Sequence, residues 1–191
     1  MSVCIIHPDG RIEWVHDGYY HRVDGPAYVR KDGTQEWFYN GVRHRDGAPA
    51  VLYSNGGFEW YQHGKIHRDD GPAIILKDGT QEWYQHGLLH REDGPAVIDN
   101  EGNEIWYYND LEHRSDGPSV VWKDGGKEWS VRGEWHRIDG PAVIHADGRI
   151  DWYLEGNMLD SKEVDAWLKA NDIRWPFNQD QIMHFIMRFH K

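Results

Sequence analysis

The sequence predicts an all-β fold: an elongated single-layer antiparallel sheet of tandem β-hairpin repeats, closed by a short C-terminal α-helical cap. Three observations predict it. His-Arg pairs begin at His21, His44, His67, His90, His113 and His136, each 23 residues after the last. Trp14, Trp37, Trp60, Trp83, Trp106, Trp129 and Trp152 keep the same interval. Each His-Arg is followed by a version of Asp-Gly-Pro-Ala, as in Asp70-Gly71-Pro72-Ala73 and Asp139-Gly140-Pro141-Ala142. A fixed period of this length is the signature of a repeat architecture.

Within each unit the chemistry reads as two strands. Pro-Ala leads into β-branched pairs such as Ile74-Ile75, Val120-Val121 and Val143-Ile144, which suit a pleated, half-buried surface. Asp-Gly or Asn-Gly follows at Asp32-Gly33, Asn55-Gly56, Asp78-Gly79, Asp124-Gly125 and Asp147-Gly148, and such pairs favour a type I′ hairpin turn. The return strand carries Glu-Trp-Tyr or a variant. A second glycine turn (Gly41, Gly64, Gly87, Gly133, Gly156) then leads to the next His-Arg. The second copy is rearranged to Asp46-Gly47-Ala48-Pro49-Ala50 without a change in length. About thirteen or fourteen strands at the usual spacing would make a ribbon roughly 60 Å long.

The repeats occupy residues 1–158, and 159–191 read as a helical cap or docking segment. Leu159 stands where a seventh ladder histidine would be. Asp160 with Glu163 has the form of a capping box opening a helix with Val164, Trp167 and Leu168 on one face. Asn178 with Gln181 can open a second helix, in which Ile182, Phe185, Ile186 and Phe189 share a face. A repeat array needs its last apolar edge covered.

Composition narrows the function classes. The formal net charge is -11, which disfavours nucleic acid and anionic membranes as partners. No run of about 18 apolar residues predicts a membrane span, and the N-terminal residues lack the pattern of a signal peptide. One cysteine, Cys4, excludes an internal disulfide framework and suits a reducing compartment; the expected location is cytoplasmic. Cys4 is expected to be a buried thiol.

The His-Arg-x-Asp series resembles acid/base or metal-ligand equipment, but equivalent side chains in successive hairpins fall roughly 9.5–10 Å apart. That is too far for neighbouring histidines to share one ion at bonds of about 2 Å. A constellation copied six times is also unlike a unique active site. No catalytic residue, metal or cofactor is therefore expected. The motif is expected to be structural: Asp accepting N–H groups of its own turn, His bonding carbonyls or the Asp of an adjoining unit, and Arg pairing with the Glu beside the Trp. The Trp ladder is expected to be core.

Specificity is then left to positions that vary between units. Three residues after each Pro-Ala stand Arg30, Tyr53, Leu76, Asp99, Trp122 and His145; two after each ladder Trp stand Tyr39, Gln62, Gln85, Tyr108, Val131 and Leu154. Alternation places each set on one face, so Tyr39, Tyr53, Tyr108 and Trp122, with Arg30 and His145, are the candidate partner contacts.

The 23-residue hairpin unit, with its glycine turns and return-strand aromatic, resembles the MORN-type repeat. The His-Arg-x-Asp-Gly-Pro-Ala wording is similar to a divergent version found in bacteriophage, bacterial and large-virus proteins. The resemblance covers residues 1–158 and is informative for fold rather than activity. Because His-Arg and Pro-Ala replace several turn glycines, the lipid binding sometimes ascribed to that family is not carried over. The resemblance implies a phage or bacterial accessory protein that binds and blocks or shields another protein, such as a host defence component, in the host cytoplasm if viral. A small-ligand reading, glycan or nucleotide on the aromatic rows, is the alternative, and an enzyme comes third. Homodimerisation through the N-terminal edge strand (Val3–Ile6) or the C-terminal helix is a further expectation.

Overall fold

The computed structural model describes residues 2–190. The chain divides into two units, one ending at Asn100 and one beginning at Glu101. Both are antiparallel β-structure built of tandem hairpins, and the second also carries two helices.

In the first unit, Val3–Ile6 pairs with Ile12–His16, which pairs in turn with Tyr28–Val29. From there the ladder alternates outgoing and return strands of two residues each: Gln35–Glu36, Val51–Leu52, Phe58–Glu59, Ile74–Ile75, Gln81–Glu82 and Val97–Ile98. The register is the same at each step. Val51 lies opposite Glu36 of the preceding hairpin and Glu59 of its own. The residue after Pro-Ala is buried at Val51 and Ile74 and partly buried at Tyr28 and Val97, beside the buried Ala27, Ala50, Ala73 and Ala96. Trp37, Thr34, Glu36, His67, Thr80 and His90 are buried with them, so the interior mixes small apolar side chains with larger and polar ones. The second unit repeats the ladder through Glu104–Ile105, Val120–Val121, Lys127–Glu128, Val143–Ile144 and Ile150–Asp151.

Two expectations about the hairpin need correction. The return strand does not run through the Trp. In the full repeats it breaks there, and the following residues form a separate two-stranded side hairpin, such as Tyr61–Gln62 with Lys65–Ile66. A repeat thus has four short strands rather than two. The Trp backbone serves both parts. Trp60 N–H donates to the Ala73 carbonyl of the next repeat at 2.8 Å, and the Trp60 carbonyl accepts from His67 N–H at 3.1 Å to close the side hairpin.

The turn type at Asp-Gly also differs from the type I′ expected. At Lys31-Asp32-Gly33 only Gly33 has positive φ (89°). Gly33 N–H bonds the Arg30 carbonyl while Arg30 N–H bonds Thr34, which is a type I turn followed by a glycine bulge. Asp32 contributes by accepting Thr34 N–H at 2.9 Å. The type I′ pattern, with two positive φ angles, belongs to the side hairpins: His63 (50°) with Gly64 (80°), and Arg132 (55°) with Gly133 (82°). Holding a non-glycine residue there costs about 1–2 kcal/mol, so it calls for a compensating contact.

At the C-terminal end, Ser161–Asn171 forms α1 and Gln179–Phe189 forms α2. Asp160 caps α1 by accepting Lys162 and Glu163 N–H, and Asn178 and Gln181 make a reciprocal capping box on α2. Val164, Phe177, Phe185 and Phe189 close over Trp152 and Leu154, with Trp167, Leu168 and Ile182 packed against them. Trp152 is 0 % exposed. Cys4, expected to be buried, is exposed, because the strand that carries it lies at the ladder's edge.

Candidate functional site

The repeated side chains form a fixed frame, and its contacts differ from those expected. Arg does not pair with the Glu beside the Trp. Its guanidinium carbon lies over the ring of the ladder Trp eight residues earlier: Arg22 on Trp14 at 4.3 Å, Arg68 on Trp60 at 4.3 Å, Arg91 on Trp83 at 4.3 Å, Arg114 on Trp106 at 4.1 Å and Arg137 on Trp129 at 3.9 Å. In that pose Nε donates to the Asp two residues on, as in Arg68–Asp70 and Arg91–Asp93 at 2.8 Å. Nη1 reaches the Pro carbonyl, as in Arg68–Pro72 at 3.2 Å. This Asp therefore holds an Arg rather than its own turn. The contact keeps the carboxyls of Asp24, Asp70, Asp93 and Asp116 below the usual carboxylate range.

The glycine after that Asp is explained by the same contact. Its backbone is not left-handed, but a Cβ at Gly94 would lie 2.9 Å from Arg91 Cζ, and one at Gly25 would lie 2.7 Å from Arg22 Cζ. Glycine leaves room for the guanidinium in this pose; a larger residue would make it shift.

Five of the ladder histidines have a role other than the expected bond to a carbonyl. Nδ1 accepts the backbone N–H of the strained turn residue in the next repeat: Asn40 to His21 at 3.1 Å, His63 to His44 at 3.2 Å, His86 to His67 at 3.2 Å, Arg132 to His113 at 3.3 Å and Glu155 to His136 at 3.0 Å. This is the contact that the positive-φ turns need. An Nδ1 acceptor places the ring proton on Nε2, which faces Asp46 from His44 and Asp69 from His67, both at 3.3 Å. His90 is buried and its Nε2 lies 3.8 Å from Glu92. Among the described residues, no three His, Cys, Asp or Glu side chains gather in a metal-binding cluster.

The Glu beside the Trp is engaged by the position three residues after Pro-Ala. Arg30 Nε donates to Glu36 at 2.6 Å, Tyr53 Oη to Glu59 at 2.6 Å and Trp122 Nε1 to Glu128 at 2.7 Å; His145 Nε2 lies 2.7 Å from Asp151. Glu36 is 2 % exposed and also receives Arg43 at 2.7 Å. Burial, with the bond to Glu59, pushes the Tyr53 hydroxyl up to about 12, so it remains a donor. Four of the six candidate contacts (Arg30, Tyr53, Trp122 and His145) thus have an internal hydrogen-bonding role, although Trp122 is still 36 % exposed.

The other variable position is more open. Tyr39 and Tyr108 are each 50 % exposed, and Gln62 and Val131 are exposed, while Gln85 is half-buried and Leu154 is covered by the helices. Tyr39 has His21 at 4.8 Å and His44 at 6.2 Å, and the His44 ring stacks on His63 at 4.7 Å. Tyr108 meets His113 edge-on at 6.3 Å.

In comparison with known proteins, the sequence matches no protein-family model and no curated protein. Among the described residues, no helix is long and apolar enough to cross a membrane.

Proposed function

We propose that this chain is a MORN-like repeat scaffold that binds another protein without catalysing a reaction, as a cytoplasmic accessory protein that blocks or shields its partner. The observation that carries this reading is the division of labour among the side chains. The repeated His and Arg groups are engaged within the frame, whereas Tyr39 and Tyr108 vary between repeats and stand half in solvent. A tyrosine offers a large rigid surface with a polar tip at small entropic cost, a common form of interface anchor. Each of the two units presents one.

The test uses the full chain as bait in lysate of its native host, with quantitative mass spectrometry. Wild type should enrich a defined protein, and Tyr39→Ala or Tyr108→Ala should reduce its recovery by about tenfold or more. Equal recovery by all three baits overturns the assignment of the tyrosines. Saturable micromolar binding of a glycan or nucleotide that is lost in Trp122→Ala, without protein capture, replaces the reading with small-ligand binding.

A further inference from the structure

The second copy of the motif departs from the others in a chemically specific way. Where five copies place Asp two residues after the Arg and Gly after that Asp, this copy places Gly47 and Ala48. Arg45 keeps the rest of the pose: its guanidinium lies 3.8 Å from the Trp37 ring and Nη1 donates to the Pro49 carbonyl at 3.1 Å. The partner of Nε is what changes. In the intact copies Nε donates to a carboxylate at 2.7–2.8 Å. Among the described residues no carboxylate lies within 4.0 Å of Arg45; the adjacent Asp46 turns to His44 instead.

A half-buried guanidinium that has lost its counter-ion sits in an open cleft of about 710 Å³, bordered by Tyr39, His44, His63 and Asp46. We propose that Arg45 is a carboxylate-binding site, at which an aspartate or glutamate side chain of the partner protein takes the place that Asp24, Asp70, Asp93, Asp116 and Asp139 fill in the other copies. The identification of the carboxylate as a partner's rests on the interaction reading above.

Three features support it. Arg on a flat aromatic face presents its edge donors in a fixed plane, the geometry that matches a planar carboxylate. Burial without a compensating anion pulls the Arg45 guanidinium below its ordinary value, the reverse of what an ion pair does at Arg30. Tyr39, already the leading anchor of this unit, borders the same cleft, so one acidic side chain and one aromatic contact could be read together. Carboxylate is favoured over phosphate because the vacant position corresponds to a single carboxylate. Asp24 and Asp46 border the cleft and would repel a dianion more strongly than a monoanion.

The experiment follows the Arg Nε–Hε resonances of the full-length protein during titration with sodium acetate, and separately with inorganic phosphate. The Arg45 signal should shift and saturate with acetate, while those of Arg68 and Arg91, already paired, should stay in place. In Gly47→Asp/Ala48→Gly, which rebuilds the intact motif, the Arg45 response should vanish. An Arg45 shift no larger than that of Arg68, or a response that survives in the rebuilt variant, overturns the site. A tighter response to phosphate than to acetate overturns the carboxylate assignment. The wild-type titration stands even if the rebuilt variant fails to fold. Used as baits, wild type should recover the partner and the rebuilt variant should lose it. Equal recovery removes the partner's carboxylate from Arg45 and leaves the interaction reading intact. Saturation by acetate with no protein recovered by any bait ends the interaction reading, and with it the partner half of the proposal.

Discussion

Gly94→Ala is a substitution whose sign should depend on one other residue. At a backbone that alanine can adopt, Gly→Ala normally stabilises by about 0.4–1 kcal/mol through the unfolded chain. Here the new methyl would lie 2.9 Å from Arg91 Cζ, so the guanidinium must lift. Its side chain is flexible, and the cost is therefore bounded by what it gives up: the Trp83 face at 4.3 Å, the Pro95 carbonyl at 3.3 Å and the Asp93 carboxylate at 2.8 Å, the last a solvent-exposed ion pair that adds little. A partly desolvated cation–π contact is worth about 0.5–2 kcal/mol, and the neutral-acceptor hydrogen bond about 1 kcal/mol. In the wild-type background Gly94→Ala should therefore destabilise by about 1 kcal/mol net, and Arg91→Ala by about 1–2 kcal/mol. In Arg91→Ala the clash is gone, and Gly94→Ala should become stabilising by about 0.4–1 kcal/mol. Urea unfolding followed by tryptophan fluorescence on the four proteins of the cycle measures this coupling. Equal cost of Gly94→Ala in both backgrounds would refute the claim that the glycine exists to admit the guanidinium.

Further outcomes follow from the same contacts. His67→Ala leaves the His86 N–H without its acceptor at a positive-φ turn; it should cost about 1 kcal/mol and speed hydrogen exchange at the His86 amide selectively. Phe185→Ala opens the cluster over Trp152 and should cost about 3–5 kcal/mol in the second unit, with loss of the near-ultraviolet dichroism of Trp152. For pH, the carboxyls of Asp70 and Asp93, held by their arginines, and of Asp78, held by Thr80 N–H, all lie lower in the folded chain than unfolded. Their stabilising contribution is complete above the unfolded value of about 3.9 and is lost as pH falls through the lower folded values. Melting temperature should therefore drop below about pH 4, and Asp70→Asn/Asp93→Asn should show a shallower drop.

The repeat, its length, its antiparallel β-hairpin character and both helix caps were legible in the sequence because they depend on periodicity and local chemistry. What was not legible depends on contacts across the unit. Arg was assigned to the nearby Glu on charge alone, yet every ladder Trp followed by His-Arg has its Arg eight residues on, and Trp152, which lacks one, has Asp160 there. That spacing was a usable signal for a cation–π staple; at Trp152 the Phe177 ring stacks instead, at 6.0 Å. The Arg30–Glu36, Tyr53–Glu59, Trp122–Glu128 and His145–Asp151 pairs are all six residues apart, each coupling a donor to an acid, and this could have shown that the outer position faces inward. Type I′ geometry was legible at Asp17-Gly18 and Asn40-Gly41, whose residues favour it, but not at His63, Arg132 and Glu155, which are poor residues for left-handed backbone. They are held there by a histidine from the previous repeat, a contact that composition does not carry.

The central claim is that the repeated imidazoles hold successive repeats together rather than act on a ligand. Long-range nitrogen–proton correlation spectra at about pH 8, where free imidazole is neutral, test it most directly. His21, His44, His67, His113 and His136 should all show the tautomer protonated at Nε2, with Nδ1 as acceptor, and their signals should not move on addition of zinc. A mixture of tautomers across the ladder, or rings that shift together on zinc, would contradict the account.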